Sequence, residues 1–135
     1  MITASVTIKI QFYHLDPMKV VWHGNYMHFF EQARCDLLDK IDYNYPQMIE
    51  SGFLWPIVDM RIKYICPLQF AQSILVTATI VEFENRLKIK YLITDHKTGA
   101  KLTEGFTIQV AVDAVTEEMC FETPQVFQIK VKALL

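Results

Sequence analysis

At 135 residues the chain is one domain's worth of sequence, long enough to bury a core without metal or disulfide staples, and residues 1–135 are expected to form a single domain. A hydrophobic fraction of 52% with 21% charged residues reads as globular and slightly apolar, which suggests surface covered by another subunit. Lys+Arg 13 against Asp+Glu 15 gives a net charge of -2, which excludes an overall basic field for nucleic acid but leaves room for local clusters that hold a phosphorylated small molecule.

Cys35, Cys66 and Cys120 are odd in number and lack metal-type spacing, so free thiols in a reducing compartment are expected. The N-terminal residues carry no basic segment followed by an apolar block, and no run approaches the roughly 18 apolar residues of a membrane span. The expectation is a soluble, cytoplasmic protein.

Val6, Ile8, Ile10 and Phe12 alternate with Thr7, Lys9 and Gln11, the pattern of a half-buried strand that ends at Asp16-Pro17. From Asn25 to Ile41 the period changes. Tyr26, Phe29, Phe30, Ala33, Leu37, Leu38 and Ile41 recur at three-and-four spacing and predict a helix buried on most sides, with Gly24 or Asn25 as N-cap and an Asp36–Lys40 pair on its polar side. Tyr45 to Gly52 predicts a short helix closed by the glycine. Strands follow at Ile57–Ile65, Ser73–Glu84, Leu87–Asp95 and, as one long alternation, Ala100–Val112; Glu84-Asn85-Arg86 and His96-Lys97-Thr98-Gly99 are turns. The tail reads two ways: Thr123-Pro124 suits a helix start, whereas Phe127–Val131 alternates like a strand. One apolar helix with five strands around it predicts an α+β domain, a curved five-stranded antiparallel sheet wrapped around one long central helix.

The chemistry concentrates at Tyr13–Tyr26. Asp16 sits on a tight turn just before a helix whose first N–H groups lack intrahelical partners, so a carboxylate and donors for an oxyanion share one space. Alone, Asp16 also reads as an Asp-Pro turn residue bonded to its own backbone. His14, Asp16, His23 and His28 have none of the spacings of a metal site, and no metal is expected. Arg86, Lys88 and Lys90 form a basic edge, ordinarily a solvated strand face.

Asp16-Pro17-x-x-Val20-Val21-Trp22-His23-Gly24-Asn25-Tyr26, followed by Phe29-Phe30-Glu31-x-Ala33-Arg34, resembles the signature of the hotdog-fold acyl-CoA thioesterases, most of all the 4-hydroxybenzoyl-CoA thioesterase and YbgC-like branch. Pro56-Ile57-Val58 and Tyr64-Ile65-Cys66-Pro67 resemble that branch's second strand, and the likeness runs from about Val6 to Asp113. The resemblance implies hydrolysis of an acyl thioester of CoA, or of an acyl-carrier protein. Asp16 would be nucleophile or general base, the backbone N–H at His23 the polarising donor, and the His23 imidazole a further member of the site. Gly24, Asn25, Tyr26 and Lys19 are the candidate substrate-binding residues. No cofactor is implied, CoA being part of the substrate, and a homodimer or homotetramer with sites at subunit boundaries is expected. Two positions depart from the family: Lys19 stands where glycine is usual, and Leu15 where a small or polar residue is. Glu31 reads as an ion-pairing residue, although other hotdog branches use a helix glutamate. A non-catalytic acyl-binding protein and a dehydratase are the rival readings; the latter needs a His/Asp arrangement on the helix that this chain lacks.

Overall fold

The computed structural model describes residues 1–135. In chain order it contains β1 (Thr3–Lys9), a 3-10 turn (Phe12–His14), α1 (Asn25–Lys40), α2 (Tyr45–Glu50), β2 (Phe53–Leu54), β3 (Ile57–Tyr64), β4 (Ser73–Glu82), β5 (Leu87–Asp95), β6 (Lys101–Gln109), β7 (Val112–Asp113) and α3 (Gln125–Lys132). Five strands form one antiparallel sheet in the order β1-β4-β5-β6-β3. The α+β prediction holds, and β3 is a free edge.

Three details differ from the sequence reading. The alternation through Val112 breaks after Gln109, because Val112 and Asp113 leave the sheet to pair with Leu54 and Phe53 in a two-stranded ribbon. The tail is helical: Phe127 and Val131 are buried at four-residue spacing, and Phe127 packs on Trp55, with ring centroids 4.9 Å apart. Lys40 donates to the Thr3 carbonyl at 2.9 Å rather than pairing with Asp36, tying the end of α1 to β1.

Helix α1 lies on the inner face of the sheet through Tyr26, Phe29, Phe30, Ala33, Leu37 and Leu38, while Glu31, Gln32, Asp36 and Asp39 face solvent. At Phe30 the helix meets the sheet ring to ring, stacked on Tyr91 with centroids 4.3 Å apart and planes 5° from parallel. Gly105 makes room for it. A Cβ at Gly105 would come within 2.3 Å of the Arg61 carbonyl oxygen and 2.9 Å of the Phe30 ring.

Because Gly105 opposes Tyr91 and faces the helix, Thr103, Thr107 and Gln109 face inward on β6, and Phe106 and Ile108 point away. One of these inward polar groups, the Thr107 hydroxyl, belongs to a network around a charge that the helical pattern conceals. Arg34 is 3% exposed, and its Nε and Nη1 donate to the hydroxyls of Tyr45 and Tyr91, each at 3.1 Å; Tyr91 in turn meets the Thr107 hydroxyl at 2.7 Å. Burial pushes the Tyr91 phenol up, so it serves as a neutral hydroxyl. Glu31 approaches Arg34 at 3.7 Å, the ion-pairing role expected of it.

Gly105→Ala should cost about 1–3 kcal/mol of unfolding free energy, read from chemical denaturation, because the backbone of β3 and the Phe30 ring must both give way. Wild-type stability in that variant would contradict the close approach.

Candidate active site

The segment from β1 to α1 is held by a small set of hydrogen bonds. Leu15 and Val21 face each other in an isolated antiparallel bridge, so Asp16–Val20 forms a tight loop between them. Within it the Asp16 N–H donates to the Val20 carbonyl and the Lys19 N–H to the Asp16 carbonyl, both at 2.9 Å. The Met18 N–H donates to Asp16 Oδ1 at 2.8 Å. That bond is the turn role of the Asp-Pro pair, and it fixes one carboxylate oxygen.

Lys19 occupies the left-handed region, with φ 64. A glycine meets no steric penalty there, whereas a lysine carries its Cβ against the backbone, so the geometry suits the glycine that Lys19 replaces. The Lys19 side chain is exposed at the loop tip.

The start of the helix is anchored to one carbonyl. His14 O accepts from the Trp22 N–H at 2.9 Å and from Asn25 Nδ2 at 2.8 Å. Asn25 therefore clamps the loop. Gly24 is the N-cap, and a Cβ on it would fall 2.3 Å from the Trp22 ring, which lies across it. The N–H groups of His23 and Gly24 donate to no acceptor in the protein. His14 itself faces the Phe29 ring at 5.1 Å, and its Nδ1 accepts from the Gln11 N–H at 2.9 Å. Burial, and then the nearby His28, hold its imidazole below the usual histidine range.

A cavity of about 240 Å³ opens where these parts meet. Asp16, His23 and Tyr26 line it, with Met18, Val20, Val21, Tyr64, Ile65 and Pro67. Of the six candidates, the structure thus brings Asp16, His23 and Tyr26 together; Lys19, Gly24 and Asn25 lie outside the lining and shape the loop and the helix start. The His23 ring tilts against Trp22, 5.2 Å between centroids. Tyr26 is 2% exposed and meets Tyr64 edge-on at 4.8 Å, forming the inner wall. Its phenol is pushed up, chiefly by burial, which keeps the hydroxyl protonated.

The far wall, Tyr64, Ile65 and Pro67, was not among the predicted site residues. Its only signal was the motif at the end of β3, since nothing local says that the distant strand end at Tyr64 closes on Asp16. Met18 and Val20 were hidden inside the loop for the same reason.

Residues 10–131 match the family model described as the thioesterase-like superfamily. The long-chain acyl-CoA thioesterase FadM of Escherichia coli (strain K12) is 25% identical over 112 residues, 82% of this chain and 84% of its own length. Among solved structures, a DHNA-CoA thioesterase from Staphylococcus aureus superposes with a TM-score of 0.84 at 27% identity, covering 99% of this chain and 93% of that one. The 1,4-dihydroxy-2-naphthoyl-CoA thioesterase of Synechocystis gives a TM-score of 0.86 at 20% identity, covering 98% and 97%, a likeness of fold. With a family match over nearly its whole length and a hotdog arrangement of sheet and helix, the chain belongs to the thioesterase-like superfamily.

Proposed function

We propose that the chain is an acyl-CoA thioesterase whose reaction takes place in the cavity between Asp16 and the start of α1. The observation that carries the reading is that Asp16 and His23 line one cavity at the start of α1, where the backbone N–H groups of His23 and Gly24 find no acceptor in the protein. A thioester carbonyl directed at those N–H groups gains stabilisation as its oxygen becomes negative. Losing one such donor typically costs about 2.7–4 kcal/mol.

Asp16 supplies the attack in one of two ways. As general base it takes a proton from a water whose oxygen adds to the carbonyl carbon; the C–S bond then breaks and the sulfur leaves as thiolate. As nucleophile its own oxygen adds to the carbonyl carbon, and the C–S bond breaks as the thiolate leaves. Water then cleaves the resulting anhydride to the free acid and the restored carboxylate. A simple thiol has a pKa of about 8.5, so either route proceeds without a strong general acid. Oδ1 is occupied by the Met18 N–H, which leaves Oδ2 for the reaction. His23 is assigned to the cavity wall, its backbone N–H to the oxyanion and its ring to the mouth.

The same reading places the enzyme in the cytoplasm, where CoA esters are made, and pairs two copies along β3. Val58, Met60 and Tyr64 lie exposed on the inward side of that edge strand, and Tyr64 and Ile65 reach the cavity, so a second copy covers apolar surface and encloses the site. Sedimentation should therefore give a dimer or tetramer that Met60→Lys weakens; a wild-type monomer at working concentration would refute the pairing.

Asp16→Asn keeps an oxygen for the Met18 N–H but no base or nucleophile. Thiol release from acyl-CoA should fall by about 10²–10⁴-fold with an unchanged melting temperature. Full turnover in that variant would sink the assignment. Gly24→Ala should lower kcat by about tenfold or more, because the new methyl displaces the Trp22 ring at the helix start. Adding Trp22→Ala to that variant removes the clash, and recovery of part of the lost rate is the expected sign that the ring is the cause.

A further inference from the structure

The register of the sheet gathers one set of loops at one end of the molecule. Lys9 at the close of β1 pairs with Ser73 at the start of β4, and Ile74 with Asp95 at the end of β5. Thr94 pairs with Lys101 at the start of β6, and Thr103 with Tyr64 at the end of β3. The segments 10–24, 65–72 and 96–100 therefore project from the same end, where the cavity also opens. The first two are tied together: the Ile10 N–H donates to the Gln72 carbonyl at 2.9 Å, and the Ala71 N–H to the Ile10 carbonyl at 3.0 Å.

Large apolar side chains stand on these loops without cover. Phe12, Tyr13, Met18 and Phe70 are between 57% and 79% exposed. Phe12 and Phe70 meet edge to face, with 6.2 Å between centroids. Single exposed rings are ordinary, but a group gathered on one set of loops marks a surface that meets something.

Charge is divided along the same axis. Lys9, Lys19 and Lys97 are exposed at this end, and no carboxylate lies within ion-pairing distance of them. The carboxylates nearby are already engaged. Asp16 lines the cavity, the two oxygens of Asp95 accept from Gln72, Lys97 and Thr98, and Glu104 is held by Lys101 and Lys63. The opposite end, beyond Glu82 and Asp113, carries Glu84, Glu117, Glu118 and Glu122. A chain of net charge -2 thus presents a positive, aromatic end and a negative one.

Rings on projecting loops, with lysines between them, form an adaptable array rather than a groove shaped for one protein. That combination matches the surface of an anionic bilayer, where aromatic rings enter the headgroup layer and lysines meet phosphate oxygens. A second copy docking by the same end would bring the unpaired lysines of both together.

We propose that this end of the protein docks reversibly on an anionic lipid bilayer, with Phe12 and Phe70 entering the headgroup layer and Lys9, Lys19 and Lys97 meeting lipid phosphates. Met18 belongs both to this rim and to the cavity lining, so docking turns the cavity mouth toward the lipid. The inference goes beyond the thioesterase reading and does not depend on it.

The test is co-sedimentation of the full chain with vesicles of phosphatidylcholine, alone or mixed with phosphatidylglycerol at about 30 mol%. Wild type should bind the mixed vesicles about tenfold or more tightly than the neutral ones, and lose that preference as salt rises from about 50 to about 300 mM. Phe12→Ser/Phe70→Ser and Lys9→Gln/Lys97→Gln should each weaken binding to mixed vesicles by about tenfold or more, with unchanged melting temperatures. Phe121→Ser alters an equally exposed ring at the opposite end, beside Asn85, and should bind as wild type does. Asp16→Asn should also bind as wild type does, so a failure of the hydrolytic assignment leaves the docking surface standing. Absence of wild-type binding to mixed vesicles, equal binding by all variants, or an equal loss in Phe121→Ser overturns the proposal. So does Phe12→Ser/Phe70→Ser falling to monomer while keeping its hold on vesicles, which would assign the rings to a subunit contact.

Discussion

The contact on which the rest of the molecule depends is the seat of Phe30 on Tyr91 and Gly105. A helix that stands off a sheet by a few ångströms leaves its N-terminus unplaced, whereas one pressed flat on a neighbouring ring has little freedom to tilt. The missing side chain at Gly105 makes that contact possible, and the buried residues along α1 extend it. With the helix fixed, Tyr26 becomes the wall of the cavity and the N–H groups before it acquire a definite direction.

The second constraint is a single carbonyl. His14 O receives both the Trp22 N–H and the Asn25 amide, so strand, loop and helix converge on one atom. Asp16 lies within the loop closed by those bonds. Its position follows from backbone hydrogen bonding, and its carboxylate reaches the cavity without help from a neighbouring cation. Gly24 and Asn25 belong to the same scaffold: the one gives the indole room and the other fastens the knot.

Much of this was legible in the sequence, for physical reasons. Two periodicities separated α1 from the strands, and Asp16-Pro17 marked a turn between them, so the elements around Asp16 and His23 followed from local rules. What stayed hidden depends on contacts between distant residues. The apolar alternation of β6 pointed to the side facing the helix, yet Gly105 puts Thr107 and Gln109 on that side and Phe106 on the other, where Leu102 and Ile108 are still buried. Arg34 looked like part of a motif; its burial shows only once Tyr45 and Tyr91 are brought beside it. The wall made by Tyr64, Ile65 and Pro67 is likewise a property of tertiary closure. The tail could not be decided locally because Thr123-Pro124 suits a helix start while Phe127, Ile129 and Val131 alternate like a strand; in the fold Phe127 packs on Trp55 and the helix leaves Ile129 exposed.

The buried Arg34 has a consequence for how α1 can settle. Leucines and alanines against a smooth wall tolerate several rotations about the helix axis at similar energy. A guanidinium fork that must meet two phenols tolerates one. Slipping by a single residue would swing the side chain through about 100° and leave a desolvated cation among hydrocarbon. Arg34 thus acts as a key in a keyway, setting the angular phase of the helix two turns away from Tyr26 and the loop that carries Asp16.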